Sequence, residues 1–122
     1  GLFYRHKVDV EKLKQALNVF VGTHDFRSFC TGDDYESTVR TITAVDVEYL
    51  PRFKAYRIIV KGPGFLRYMI RRISGACLEV ASRDTLTLKD LQEALDAKNP
   101  LQQFQTAPAH GLMLYKIVYH PQ

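Results

Sequence analysis

The chain has 122 residues, of which 46% are hydrophobic and 25% charged. This length and composition suit one globular domain and argue against disorder or dependence on disulfides. Lys and Arg total 17 and Asp and Glu total 13, and the net charge of +4 is compatible with a polyanionic partner. Cys30 and Cys77 form no metal-binding pattern and indicate a reducing, cytoplasmic setting, with an organelle or the nucleus left open. No apolar run nears the ~18 residues that span a bilayer, so no membrane partner is expected.

Alternation and helical periodicity predict a chain of mixed helices and strands. Asp9 is a suitable cap for a first helix and Gly22 a suitable stop, and Thr87 with Asp90 three residues later would cap the last helix. The break at 62–64 (Gly-Pro-Gly) separates a strand from a long helix. In chain order the predicted elements are a helix over about 10–21, a loop over 23–34, strands over 40–50 and 54–61, helices over 65–82 and 88–97, and a strand over 112–119.

The order of these elements indicates an α+β fold. We expect a small, mostly antiparallel sheet with helices packed on one face, as in a ferredoxin-like domain. The first two predicted strands should form an antiparallel hairpin, and the weak alternation of the last strand predicts burial on both faces. Three strands make a small sheet, so we expect its edge to pair with polypeptide outside this chain.

The long predicted helix combines an apolar stripe with arginines. At about 100° per residue, the stripe is centred between Met69 and Ile73, and Arg71 lies about 160° from that centre. Arg67 and Ser74 share the side of the helix that carries Arg71. This outer face is either an ordinary solvated surface or a place where an arginine meets a carboxylate or phosphate of an opposing surface. The pattern alone leaves both interpretations open.

Other candidate motifs favour structural roles. The turn at 61–65 is glycine-rich but lacks the phosphate-loop and dinucleotide patterns, which favours a tight turn. His24 and Asp25 could form a catalytic pair, but adjacent side chains usually diverge, and stabilisation of a loop is favoured. The histidines share no metal-ligand spacing. Aromatic residues can stack on RNA bases. The candidates are Phe26, Phe29, Phe65, Tyr68 and Tyr115, and most of these rings are expected in the core.

Three strings in the chain occur together in one known family. They are GTHDFRSF (22–29) followed by TVRTI (38–42), GFLRYMIRRISG (64–75) followed by LEV (78–80), and APAHGLML (107–114). In this order and spacing they resemble the C-terminal half of the tRNA pseudouridine synthase A (TruA) family, and the resemblance covers nearly the whole chain.

The resemblance implies an isomerase that converts uridine to pseudouridine in tRNA, typically at positions 38 to 40 of the anticodon stem-loop, without a cofactor or a metal. The family's nucleophile is an aspartate in an Arg-Thr-Asp-x-Gly motif of the N-terminal half, and this chain lacks that motif. With Gly1 in place of Met, we expect a C-terminal fragment that is inactive alone. The implied partners are tRNA, the missing N-terminal half and, as in many relatives, a second copy in a homodimer.

The resemblance also assigns roles to single residues. Arg71 falls on the arginine that ends the family's Phe-x-x-x-Met-Val-Arg string, with Ile70 in place of valine, and would pair with the catalytic aspartate and keep it ionised. Leu112 falls on the leucine of Gly-Leu-x-Leu that packs on the uracil, and Phe65 would line the same pocket. A separate hypothesis predicts RNA phosphate contacts for Arg40, Arg67 and Arg72. The alternatives are a non-catalytic RNA-binding module of ferredoxin-like fold and, on composition alone, a protein-interaction domain.

Overall fold

A computed structural model describes residues 8–104 and the backbone of residues 115–121. Within these residues the helices are α1 (Val10–Asn18), α2 (Met69–Ser82) and α3 (Leu88–Ala97), and the strands are β1 (Gly22–Asp25), β2 (Val39–Ile42), β3 (Ala44–Leu50), β4 (Ala55–Gly62) and β5 (Tyr115–Pro121). The predicted α+β class is therefore confirmed. In the described part of the chain, no helix has the length and apolar character needed to cross a membrane.

The strands form two small sheets. β1 pairs with β2 antiparallel, and a second sheet has the order β3-β4-β5. β3 and β4 form the predicted antiparallel hairpin, with Val47 opposite Ile58, whereas β5 runs parallel to β4. A parallel pair requires a long crossover between its strands, and α2 and α3 lie within that crossover.

Three predictions for the first half of the chain are wrong. The predicted loop over 23–34 contains β1 and a 3-10 turn, and the predicted strand over 40–50 is divided at Thr43 into β2 and β3. β1 is held by distant pairing, including a 2.8 Å hydrogen bond between the hydroxyls of Thr23 and Thr41, which local composition does not reveal. Gly22 does not stop α1, which ends at Asn18; Gly22 begins β1 with a φ of +111°.

The start of α2 also differs from its prediction, since the helix begins at Met69 and not near residue 65. Tyr68 precedes it in the left-handed region, with a φ of 61°. The backbone N–H of Arg67 donates to the hydroxyl of Tyr35 at 2.8 Å instead of entering a helical ladder. A tertiary contact with a distant loop therefore coincides with the later helix start.

The core lies around α2. All residues from Ile73 to Ala81 are buried, and α1 packs against both α2 and β3. The predicted apolar stripe is confirmed, because its members are all buried: Leu66, Met69, Ile70, Ile73, Ala76, Cys77 and Val80. The predicted outer face is partly wrong, because Ser74 and Gly75 are also buried. The packing of α2 on several sides at once explains this burial, which the periodicity of a single helix does not predict.

The predicted caps of the outer helices are confirmed. Asp9 accepts the backbone N–H of Lys12 at 3.1 Å, and Asp90 accepts the backbone N–H of Thr87 at 2.8 Å. Each carboxylate satisfies a donor that the first turn of a helix or its cap leaves open. These short-range contacts depend on neighbouring residues in the sequence and are accordingly predictable from it.

Candidate functional site

The entrance of α2 is fastened to the loop that follows the 3-10 turn at Arg27–Phe29. The backbone N–H of Thr31 donates to the carbonyl of Arg67 at 3.1 Å, and the side chain of Arg72 donates to the carbonyl of Cys30 at 2.6 Å. These bonds, with the one between Arg67 and Tyr35, bring several arginines of distant sequence into one region. We call this region the arginine surface; it comprises Arg27, Arg40, Arg67, Arg71 and Arg72 with Tyr35 and Tyr68.

Arg71 is half-buried at the beginning of α2, while Met69, Ile70 and Ile73 are buried. Its predicted position away from the apolar stripe is therefore confirmed. The guanidinium carbon lies 4.8 Å from the centroid of the Tyr68 ring, which is a cation–π distance. Stacking uses the face of a guanidinium, whereas hydrogen bonds use the N–H groups at its edge. Arg71 can thus be oriented by Tyr68 and still bind a carboxylate through its edge.

Arg72 is engaged with the backbone of its own chain. Its Nη1 donates to the carbonyl of Cys30 at 2.6 Å and its Nη2 to the carbonyl of Pro100 at 2.5 Å. Burial lowers the pKa of Arg72 from its usual value, with a smaller opposing contribution from Cys30. Arg72 therefore ties α2 to two loops, and its predicted contact with RNA phosphate stays a prediction that must rely on the remaining N–H groups.

Arg40 and Arg67 meet at a residue that the sequence analysis missed. The ring of Tyr35 lies 5.8 Å from the guanidinium carbon of Arg40, and its hydroxyl binds the backbone N–H of Arg67. Arg67 also lies 4.0 Å from Asp34, in an exposed pair that contributes little stability. The one sequence signal for Tyr35 is an aromatic residue within an acidic loop. The phosphate contacts of Arg40 and Arg67 stay predictions, and the structure shows that Tyr35 contacts both residues.

A cleft of about 430 Å³ opens beside Arg72, with Thr31 and Gly32 in its wall. Arg27 also lines it and donates from Nη1 to the carbonyl of Gly32 at 2.8 Å. Sequence reasoning assigns Arg27 no role of its own, because nothing in its neighbours indicates that it lies beside Arg72. The cleft brings two half-buried guanidinium groups together, and such groups suit carboxylate or phosphate oxygens.

The proposed uracil pocket is described only in part. Phe65 is half-buried, and a Cβ placed on Gly62 would lie 2.9 Å from its ring, so the glycine permits this close approach. Leu112, with the whole 107–114 string, lies outside the described residues. Its position relative to Arg71 and Phe65 therefore stays a prediction.

His24 and Asp25 have separate local partners. His24 Nε2 lies 2.9 Å from the carbonyl oxygen of Val21, while Asp25 Oδ1 accepts the hydroxyl of Thr38 at 2.6 Å and the backbone N–H of Arg27 at 3.1 Å. These contacts match the favoured role in stabilising a loop. Among the described residues, no group of three or more His, Cys, Asp or Glu side chains could hold a metal ion.

The fold and the site together define an α+β domain with an arginine-rich surface suited to carboxylate and phosphate groups. The model of one protein family, described as tRNA pseudouridine synthase, matches residues 16–120. This match covers most of the chain, and the chain therefore belongs to the tRNA pseudouridine synthase family.

Individual relatives agree with this assignment. The chain is 38% identical over 116 residues to tRNA pseudouridine synthase A of Chlamydia pneumoniae, which covers 94% of this chain and 42% of that protein. It is 38% identical over 117 residues to the protein of the same name from Thermotoga neapolitana, and the match covers 96% of this chain and 47% of that protein. For the Bacillus licheniformis protein the identity is 36% over 115 residues, with 93% and 45% covered. The chain thus spans less than half the length of these curated relatives.

Proposed function

We propose that this chain is the C-terminal part of an enzyme that isomerises uridine to pseudouridine in tRNA. The proposal rests on the position of Arg71 in a chain of this family. Arg71 is half-buried at the entrance of α2 and lies over the ring of Tyr68. In this proposal the nucleophilic aspartate comes from polypeptide outside this chain. The non-catalytic RNA-binding module is the competing outcome.

The proposed role of Arg71 is to hold that aspartate. A guanidinium that binds a carboxylate through two N–H groups fixes its orientation and lowers its pKa, so that it stays ionised and nucleophilic. The reaction breaks the bond between C1′ of the ribose and N1 of uracil, turns the base, and forms a bond from C1′ to carbon C5. C5 then loses its proton and N1 gains one, so that the product is an isomer of uridine. Arg71 takes no part in these bonds; it positions the group that does.

The substrate follows from the same assignment. We propose tRNA, at uridines of the anticodon stem-loop in positions 38 to 40, with Leu112 and Phe65 against the uracil and Arg40, Arg67 and Arg72 near phosphates. Guanidinium groups supported by Tyr35 and by backbone carbonyls are preorganised donors for phosphate oxygens. We also propose that the full-length protein forms a homodimer and acts in the cytoplasm.

Replacing Arg71 by Lys in the full-length protein tests the catalytic role. Lysine keeps the charge but cannot bind a carboxylate through two parallel N–H groups. We therefore expect kcat to fall by about 100-fold or more, as is typical for a lost positioning contact, while the Kd for tRNA changes by less than about threefold. The matched control is Arg83→Lys, since Arg83 is exposed at the other end of α2. Near-native turnover of Arg71→Lys would remove Arg71 from this role.

The coding sequence upstream of this chain separates the two candidate functions. An Arg-Thr-Asp-x-Gly motif within the preceding couple of hundred codons supports the enzyme, and replacement of its Asp by Asn should abolish pseudouridine formation. A protein that lacks the motif, binds tRNA and forms no pseudouridine would be the RNA-binding module.

A further inference from the structure

The turn between β3 and β4 carries exposed aromatic and basic side chains that the proposed function does not use. We define the hairpin tip as residues 49–57, with the sequence YLPRFKAYR. Its turn is a 3-10 helix at Pro51–Phe53. The hairpin tip exposes Tyr49 and Phe53, which are two of the large hydrophobic side chains exposed in the described part of the chain. Exposure of such side chains at one point on a surface marks a contact site more often than chance.

Two aromatic side chains of the hairpin tip, Tyr49 and Tyr56, form a small platform, and Phe53 adds an exposed ring in the turn. Tyr49 lies directly opposite Tyr56 in the strand register, and their ring centroids are 5.0 Å apart. Tyr49 is 49% exposed and Phe53 is 56% exposed. Rings that are held by a hairpin and still open to solvent are preorganised for stacking, because little side-chain freedom remains to be lost on binding.

The hairpin tip also carries basic side chains beside its aromatic residues. The guanidinium carbon of Arg52 lies 5.9 Å from the centroid of the Phe53 ring. Lys54 is exposed, and its backbone N–H donates to the carbonyl of Pro51 in a left-handed conformation, with a φ of 48°. Arg57 lies 4.0 Å from Glu48. The hairpin tip therefore contains three basic residues and no acidic residue in its nine positions.

We propose that the hairpin tip is a second RNA-binding site, which stacks unpaired bases on the exposed rings of Phe53 and Tyr49 and contacts the adjacent phosphates through Arg52 and Lys54. Aromatic rings interleaved with cations are the combination that binds unpaired nucleotides. The proposal rests on the proposed function, since it takes RNA as the partner. Charge favours RNA over a second copy of the chain, because two hairpin tips placed face to face would bring Arg52 and Lys54 of both copies together.

Two variants of the full-length protein test this proposal, and a third serves as a control. Phe53→Ala removes the stacking ring, and we expect the Kd for tRNA to rise about tenfold. Lys54→Gly removes one cation at a backbone position that glycine adopts without strain, and it should lower the slope of log affinity against log salt concentration by about 1. Lys98→Gly is the matched control, because Lys98 is also exposed and left-handed, with a φ of 51°, and ends α3 instead.

The two proposals fail in different ways. Loss at the hairpin tip should appear in Kd and KM, whereas loss at Arg71 should appear in kcat. If Phe53→Ala and Lys54→Gly bind tRNA as well as Lys98→Gly does, the second site is wrong and the assignment of Arg71 is untouched. If Arg71→Lys turns over normally while the tip variants bind weakly, the second site stands and the catalytic role falls.

A crosslinking experiment identifies the occupant directly. Benzoylphenylalanine at position 53 should form a photocrosslink to bound tRNA, while the same residue at position 89, on the exposed side of α3, should not. Crosslinking at position 53 to a second copy of the protein, or equal crosslinking of tRNA at both positions, would overturn the proposal.

Discussion

Residues 64–72 and residues 73–81 follow one another directly in the chain but have different surroundings. From Ile73 to Ala81 every residue is buried in a regular helix. Before Ile73 the chain includes a left-handed residue at Tyr68, an exposed Arg67 and a half-buried Arg71. The comparison separates two tasks. The buried part of α2 stabilises the fold, and its irregular entrance presents the groups that we assign to function.

The entrance depends on the buried part for its position. Arg71 lies within the first turn of α2, so its orientation follows from how firmly the helix is packed. Small residues such as Ala76 and Cys77 are fully buried in that packed part. A site on a well-packed helix is held more precisely than a site on a loop. The predictions below test whether stability and function can be altered separately in these two parts.

The largest expected effect on stability comes from the buried part. Leu78 is fully buried in α2, and Leu78→Ala should lower the free energy of unfolding by about 2–5 kcal/mol, because it leaves a cavity. Arg71→Ala should change it by less than about 1 kcal/mol, since Arg71 is half-buried at the helix entrance. Urea unfolding followed by circular dichroism measures both values. An equal loss in the two variants would contradict the division of tasks.

Arg72 should give an intermediate effect, because it lies at the boundary between the two parts. Arg72→Met leaves the carbonyls of Cys30 and Pro100 without their donor, which should lower the free energy of unfolding by about 1–3 kcal/mol. Arg67→Met, on an exposed residue paired at 4.0 Å, is the control and should cost less than about 1 kcal/mol.

Binding measurements on the same residue show whether Arg72 also contacts RNA. Arg72→Lys keeps the positive charge but cannot reproduce the two hydrogen bonds of the guanidinium to the carbonyls of Cys30 and Pro100. We expect Arg72→Lys to bind tRNA nearly as well as the native protein and Arg72→Met to bind more weakly than its instability explains, because only lysine keeps a cation near the phosphate. If Arg72→Lys and Arg72→Met both weaken binding in proportion to their instability, a phosphate contact adds nothing.

The features that the sequence predicted well depend on neighbouring residues. The cap at Asp9 and the capping box of Thr87 and Asp90 are each set by residues three positions apart, and the buried stripe of α2 follows from apolar residues repeated at helical spacing. The hairpin of β3 and β4 has a short turn, and its strands are also neighbours. For such elements the local sequence and the tertiary structure favour the same conformation.

The features that the sequence did not predict depend on contacts between residues that are far apart in the chain. β1 exists because β2 pairs with it, and Arg67 meets the hydroxyl of Tyr35 from 32 positions away. Ser74 is buried by packing on a side of α2 that periodicity assigned to solvent, and within the described residues its hydroxyl has no hydrogen-bond partner. At the candidate site, the sequence identified Arg71 through a motif. Tyr35 lies in no motif, and Arg27 lies in one of the family strings but gains its place beside Arg72 only when the chain folds.

The smallest expected effect is a pH dependence that originates in the buried part of α2. Cys77 is fully buried, and burial raises the pKa of its thiol well above the ordinary value of 9.0. Above that value the unfolded chain releases the thiol proton while the folded chain keeps it, so the folded state binds more protons and loses stability as pH rises. The loss should begin near the ordinary pKa and approach about 1.4 kcal/mol per pH unit until the folded pKa is reached.

Cys77→Ala isolates this contribution from the other groups that titrate at alkaline pH. The small cavity in Cys77→Ala lowers stability by the same amount at every pH, so only the slope of unfolding free energy against pH reports the thiol. We expect native protein to lose stability faster than Cys77→Ala between about pH 9 and pH 10, and to show equal slopes near pH 7. Parallel curves over the whole range would mean that the thiol ionises as easily in the folded chain as in the unfolded one. In that case the buried part of α2 would open to solvent without global unfolding, and it would not be the rigid support that the position of Arg71 requires.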